Sequence, residues 1–101
     1  MFKGGMASMM QKAQQMQADM KVAQDEIKLI SCTGKSASGG IRITINGLHE
    51  ATAVEIDQSL LDDKEILEDL VMMAINDAES QVNRISEEKM KGVTGGLNLP
   101  F

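Results

Sequence analysis

Apolar side chains recur along the first thirty residues at alternating spacings of three and four. They are Met6, Met9, Ala13, Met16, Met20, Ala23, Ile27 and Ile30. This repeat of 3.5 residues is typical of a helix that packs lengthwise against another helix. Ser8 followed by Gln11 fits a capping box, so the sequence predicts a helix over residues 8–29. Such a helix is about 30 Å long, and we expect part of it to project beyond its own core.

The middle of the chain changes to a period of two, which is typical of strands with one apolar and one polar face. Ile30 and Cys32 alternate with polar residues, and Asn46-Gly47 is a turn signal. The sequence therefore predicts a three-stranded antiparallel meander over residues 30–57. The alternation is clearest where Ile41, Ile43 and Ile45 are separated by Arg42 and Thr44.

The last third returns to a helical period. Asp62 and Asp63 can cap a helix start, and Gly92 is placed to end it. We predict a helix over residues 62–91 and a loose tail over 92–101. The apolar stripe of this helix is Leu67, Leu70, Val71, Ala74, Ile75, Ala78, Val82 and Ile85.

The predicted fold class is α+β, with the element order α-β-β-β-α in a single domain over residues 1–101. Three short strands cannot cover the apolar faces of two helices this long, and the edge strands of the sheet expose unpaired main-chain groups. A twofold homodimer solves both problems and leaves the helix ends as paired arms. We therefore expect a tweezer-like homodimer.

Charge is divided unevenly along the chain. Residues 1–49 carry six basic and three acidic side chains, whereas residues 50–101 carry four basic and twelve acidic ones. An acidic protein divided in this way can still meet phosphate with one end. The chain has no Trp or Tyr, and its two Phe lie at positions 2 and 101. Because bases of single-stranded nucleic acid usually stack on aromatic side chains, we expect no RNA-binding sheet of the stacking kind.

Other classes of function lack the residues they need. The single Cys32 and the single His49 leave no disulfide and no Cys/His zinc site, and neither residue has a base or orienting partner nearby in the sequence. We expect no enzyme activity, cofactor, bound metal or small-molecule substrate. The longest apolar run, residues 70–75, is too short for a membrane span. The expected location is the cytoplasm.

Several segments together resemble one family. They are Met1 to Gly5, Met10 to Gln17, Thr44 to Gly47, Val54 to Leu70, Asn76 to Ala78, Glu88 to Met90 and Leu99 to Phe101. The chain resembles the YbaB/EbfC nucleoid-associated proteins of bacteria over nearly its whole length. The resemblance implies a homodimer on the nucleoid that straddles duplex DNA with helical arms. The chain departs from the family at Thr52 and Ala53, where basic residues are common, and at Gln58, where Pro is common.

The resemblance, together with the position of cations off the apolar seam, implies phosphate contacts with weak sequence selectivity. We expect Lys3 and Lys12 to approach Lys89 and Lys91 at a basic tip. The competing interpretations are a solvated helix face, and a protein–protein adaptor whose Met-rich helical groove accepts an amphipathic helix. The candidate DNA-binding residues are Lys3, Lys12, Gln15, Lys21, Arg84, Lys89 and Lys91.

Overall fold

The structure is a computed structural model that describes the backbone of residues 2–95 and the side chains of residues 5–93. Two long helices precede and follow a three-stranded antiparallel sheet in the order α-β-β-β-α, which confirms the predicted fold class. Of the predicted tail over residues 92–101, residues 96–101 lie outside the described residues. The elements are α1 (Phe2–Lys28), β1 (Ser31–Lys35), β2 (Ile41–Asn46), β3 (Ala51–Ile56), a 3₁₀ turn (Gln58–Leu60) and α2 (Lys64–Gly95).

Helix α1 begins at Phe2, so the predicted start at Ser8 is wrong. A glycine inside a helix costs only about 1 kcal/mol relative to alanine, and it does not by itself end the helix. A side chain at Gly5 would meet open space, so nothing there forces the backbone out of helical geometry. The capping-box pattern at Ser8 therefore lies inside the helix.

Helix α2 begins at Lys64, and the Asp63 carboxylate accepts a hydrogen bond from the Ile66 N–H at 3.2 Å. This confirms Asp63 as a cap. The helix itself begins two residues after the start predicted at Asp62. The predicted end at Lys91 is wrong, because α2 continues through Gly92 to Gly95. Glycine ends a helix when it takes a left-handed conformation. Gly92 remains helical, with open space where a side chain would be.

The sheet has the strand order β1-β2-β3, and α2 crosses the inner face of β1 and β2. Ile41, Ile43 and Ile45 project from β2 onto the small buried side chains of Ala74 and Ala78. The core continues through Ile30, which directly precedes β1, through Cys32 in β1 and through Val82 in α2. Because its helix residues are small, α2 can approach the sheet closely, and the core is thin but well packed.

Two glycines are required by close approaches between elements. A side chain at Gly34 in β1 would collide with the Ala74 carbonyl oxygen in α2, and one at Gly47 would collide with the Ile27 carbonyl oxygen of α1. In the β2–β3 turn the positive φ of 64° falls on His49 rather than on Gly47. The Asn46 side chain shapes this turn by accepting hydrogen bonds from the Leu48 and Glu50 N–H groups, at 2.9 and 3.0 Å.

The molecule is strongly elongated. Its extents are 75 × 22 × 14 Å and its radius of gyration is 20.3 Å, against about 13 Å for a compact chain of 100 residues. The length comes from the two helices, which leave the sheet together and pack against each other. We call residues 5–28 of α1 with 80–95 of α2 the arm, and residues 29–79 the base.

Candidate nucleic-acid interface

The arm is a pair of antiparallel helices with a narrow apolar seam. Ala23 is buried, and Met16, Met20 and Ile27 are half-buried, which follows the spacing of the sequence pattern. One ion pair joins the two helices, with the Lys89 Nζ at 3.2 Å from a Glu26 carboxylate oxygen. From residue 5 to residue 15, every side chain of α1 is exposed. The N-terminal part of α1 therefore projects without cover from the described part of α2.

The arm and the base differ in charge. In the arm, six basic side chains accompany five acidic ones, whereas the base has three basic side chains, ten acidic ones and a histidine. Acidic side chains crowd the 3₁₀ turn and the first turns of α2, where Asp57, Asp62, Asp63, Glu65, Glu68 and Asp69 are all exposed. A phosphate backbone is repelled by this end of the molecule and tolerated only along the arm.

The cations of the arm are not gathered at one tip. Lys89 pairs with Glu26, which lies fourteen residues and about 21 Å along α1 from Lys12. The expected approach of Lys12 to Lys89 is therefore not formed. Lys91 already has an interaction partner, and the side chain of Lys3 lies outside the described residues.

The remaining predicted residues lie on separate faces of the arm. Lys21 is exposed on the side of α1 away from the seam, and Arg84 is exposed on the outer side of α2. Gln15 donates a hydrogen bond to Asp19 at 2.8 Å, one turn further along α1. Among the described residues, Lys12, Lys21 and Arg84 form no ion pair or side-chain hydrogen bond, so their charges are available to a ligand.

The base has an open apolar groove between β3 and α2. All six residues of β3 are exposed, because α2 covers only the inner face of β1 and β2. Val54 is 55% exposed although it projects to the same side of the sheet as the buried Ile43, its partner across the strands. The groove has a volume of about 560 Å³, and its walls are Ile43, Ile45, His49, Ala51, Val54, Ile56, Val71, Ile75 and Glu79.

The two edges of the sheet differ. At the β1 edge, the Asp77 carboxylate accepts a hydrogen bond from the Lys35 N–H at 2.9 Å, and the Gln81 amide donates to the Thr33 carbonyl at 3.1 Å. Side chains of α2 therefore occupy main-chain groups of β1. At the other edge, no strand from residues 2–95 pairs with β3 beyond β2, and all six of its residues are exposed.

The sequence did not indicate the contact between His49 and Glu79. The His49 Nδ1 lies 3.1 and 2.9 Å from the two carboxylate oxygens of Glu79, at one end of the groove. The residues are thirty positions apart in different elements, so no spacing rule could pair them. Cys32 is buried as expected. In the part of the chain that the structure describes, no group of three or more His, Cys, Asp or Glu side chains could hold a metal ion.

Comparison with known proteins agrees with this architecture. A sequence model of the YbaB/EbfC DNA-binding family matches residues 2–97. Among solved structures, the chain is similar to the uncharacterized protein HP0035 from Helicobacter pylori, with 30% sequence identity and a TM-score of 0.66. The match covers 86% of this chain and 89% of that one. Over residues 2–95, no helix combines the length and the apolar character that crossing a membrane requires.

Proposed function

Because this chain belongs to the YbaB/EbfC DNA-binding family, whose members are nucleoid-associated DNA-binding proteins rather than enzymes, we propose that it binds duplex DNA through its arm. The observation that carries the proposal is the division of charge between an acidic base and an arm on which Lys12, Lys21 and Arg84 are exposed and, among the described residues, form no ion pair. Contacts of lysine with phosphate are insensitive to base sequence. Binding is therefore weakly selective, and its physiological role lies in gene regulation or in organisation of the nucleoid.

Binding through contacts between cations and phosphates weakens as salt increases. Each phosphate contact lowers the slope of log K against log salt by about 0.9, because bound counterions are released. A gel-shift titration of the pure protein on two unrelated duplexes, at rising KCl, measures this slope directly. We expect affinity to fall with KCl to the same extent on both duplexes. An affinity that does not change with KCl would exclude phosphate contacts as its source.

The second part of the proposal is a homodimer assembled at the β3 side of the base. An apolar groove open to water costs free energy, at roughly 25 cal/mol per Å² of apolar surface. Closing it with a second copy removes this cost and covers the free edge of β3. The β1 edge is less suitable, since Asp77 and Gln81 already occupy its main-chain groups. The twofold relation gives each dimer two arms.

A pair of substitutions in β3 tests the dimer. Val54 projects into the groove, whereas its neighbour Ala53 projects from the opposite face of the sheet. We expect Val54→Glu to convert a dimer into a monomer in sedimentation or light scattering at micromolar concentration, and Ala53→Glu to remain dimeric. A stable monomer of the unmodified protein under these conditions would remove the dimer from the proposal.

A second candidate function is supported by the methionines of α1. Met6, Met9 and Met10 are between 62% and 72% exposed near the end of the arm. Methionine side chains adapt to many partners, so this surface suits an adaptor that receives an amphipathic helix. Nuclease treatment of a lysate distinguishes the two functions. Partners held through DNA are released by nuclease, whereas partners held by methionines remain bound.

A further inference from the structure

We propose that residues 5–15 of α1, which we call the projecting segment, enter the major groove of duplex DNA, and that the methionines of this segment contact the methyl groups of thymines. This inference rests on the proposed function, since it assumes that the arm is the part that binds DNA. It adds two properties to that function: the groove that the arm occupies, and a modest preference for thymine-rich duplexes.

The projecting segment exposes an apolar stripe. Residues three and four apart share one face of a helix, so Met6, Met9, Met10 and Ala13 lie together. The three methionines are 67%, 72% and 62% exposed. The stripe continues the apolar seam of the arm towards the start of α1, beyond the half-buried Met16. Over the described residues, these are therefore seam positions that no other helix covers.

The size of the projecting segment fits the major groove. A single helix with its side chains is about 10–12 Å across, and the major groove is about 12 Å wide. Every side chain from residue 5 to residue 15 is exposed, over a length of about 16 Å. In the paired part of the arm, α2 lies about 8–10 Å away on the seam side of α1 and blocks that side. In the projecting segment the same side is open, so the methionines can face the edges of the bases.

The charge of the projecting segment complements DNA. Residues 5–18 contain one charged side chain, Lys12, and no acidic one. Lys12 lies three residues after Met9, and Gln14 lies four residues after Met10, so the two polar residues flank the stripe on its two sides. In the described part of the chain, neither forms an ion pair or a side-chain hydrogen bond. Both can therefore bind phosphates on the two sides of the groove while the methionines face the bases.

The apolar groove of the base, by contrast, is unsuited to DNA. Glu79 is part of its wall and contacts His49, and Glu50 directly follows His49 in the chain. Carboxylates at this position repel phosphate. Exposed apolar surface alone therefore does not identify a contact with DNA. The projecting segment combines such surface with positive charge and with the absence of acidic side chains.

Thymine is the base whose edge suits methionine. In the major groove thymine presents a methyl group, whereas the other bases present hydrogen-bond donors and acceptors. Methionine side chains are unbranched and polarizable, so they adapt to methyl groups at different positions along the groove. Burial of one methyl group changes affinity by a few-fold. The result is a modest preference for thymine, which agrees with weak selectivity for any particular sequence.

Replacing thymine with uracil tests the inference, because uracil pairs with adenine in the same way and lacks only the methyl group. Two duplexes of one sequence, with thymine or with uracil, are titrated with the full-length protein at low salt and followed by fluorescence anisotropy. The test variant is Met6→Gln with Met9→Gln, and the matched control is Met6→Leu with Met9→Leu. Glutamine and leucine have helix propensities close to that of methionine, so both variants should keep the helix. Circular dichroism checks the fold, and light scattering measures the molecular mass.

We expect the unmodified protein to bind the thymine duplex about three- to tenfold more tightly than the uracil duplex. The leucine variant should keep this preference, and the glutamine variant should bind both duplexes equally. The inference is overturned if the unmodified protein binds both duplexes equally, if the glutamine variant keeps the preference, or if the leucine variant loses it. A lower molecular mass of the glutamine variant alone would also overturn it, since a second copy would then cover the stripe. Absence of binding to either duplex by the unmodified protein would instead refute the proposed function itself.

Discussion

Helix α2 passes through both regions of the molecule, and its side chains change in character where the sheet ends. In the base, Ala74 and Ala78 are fully buried against the strands. In the arm, the same helix buries Val82 and is otherwise only half-buried along its seam over the described residues, and Arg84 and Glu87 are exposed. The base is therefore held by burial of apolar surface, whereas the arm has a thin seam and a surface of mixed charge.

Because of this difference, we expect substitutions in the base to change mainly stability and substitutions on the arm to change mainly DNA binding. Removing apolar contacts in the base affects the free energy of unfolding, because the surrounding core cannot fully close the cavity that remains. Changing a charge on the exposed arm has little effect on unfolding, since surface ion pairs contribute about 0–1 kcal/mol. It has a larger effect on a polyanionic ligand. Substitutions matched between the two regions can test this separation.

The largest difference between the base and the arm is expected in the loss of unfolding free energy when an apolar side chain is truncated. Ile41 is 0% exposed in the centre of the base, whereas Met9 is 72% exposed on the arm. We expect Ile41→Ala to lower the free energy of unfolding by about 2–5 kcal/mol, and Met9→Ala to change it by less than about 0.5 kcal/mol. Urea denaturation followed by circular dichroism measures both. Equal losses would show that the arm is packed as tightly as the base.

Replacing a glycine with alanine should change the free energy of unfolding in opposite directions in the base and in the arm. A side chain at Gly34 collides with backbone atoms of Ala74 and Ala78, and one at Gly92 meets nothing. We expect Gly34→Ala to destabilise the fold by about 1–3 kcal/mol through overpacking. Gly92→Ala should stabilise it by about 0.5–1 kcal/mol, because alanine loses less backbone entropy in a helix. Urea denaturation measures both changes in the free energy of unfolding. A loss of stability in Gly92→Ala would contradict the helical extension of α2.

The sequence predicted the elements better than it predicted how they meet. Hydrophobic periodicity gave the two helices and three strands, because each period follows directly from the geometry of the element. Helix ends were less predictable, since Gly5 and Gly92 are compatible with either continuation or termination. The positive φ at His49 was also missed, because the turn is set by the Asn46 side chain rather than by the Asn-Gly pair alone.

The site was predictable only in part, for a related reason. Exposure of Lys21 and Arg84 follows from their position off the apolar seam, so the sequence was sufficient to find them. The partners of Lys89 and His49 depend on how distant elements pack, and no local pattern encodes the pairs with Glu26 and Glu79. For the same reason, the sequence could not show that Lys89 lies far along the arm from Lys12.

Removal of two positive charges should weaken DNA binding only when they lie on the arm. Lys21→Gln with Lys28→Gln is expected to reduce affinity for a duplex by roughly five- to tenfold at low salt and to lower the salt slope by up to about 1.8. Lys35→Gln with Lys64→Gln makes an identical change in net charge within the base. If gel-shift titrations gave equal losses for both variants, binding would depend on total charge and not on the position of the arm.

The smallest effect is expected at the ion pair between the helices of the arm. Lys89 is 34% exposed and Glu26 is 54% exposed, so water screens the pair, and Glu26→Gln should lower the free energy of unfolding by no more than about 1 kcal/mol. The same substitution releases the Lys89 ammonium and removes one negative charge from the arm, so affinity for duplex DNA should rise by a few-fold. Glu88→Gln on α2 is the matched control, because it removes the same charge from the arm, and among the described residues Glu88 forms no ion pair. If Glu88→Gln raises affinity as much as Glu26→Gln, the gain comes from charge alone. A larger gain in Glu26→Gln would show that Lys89 exchanges Glu26 for phosphate when DNA binds. Urea denaturation of the same samples measures the accompanying loss of unfolding free energy.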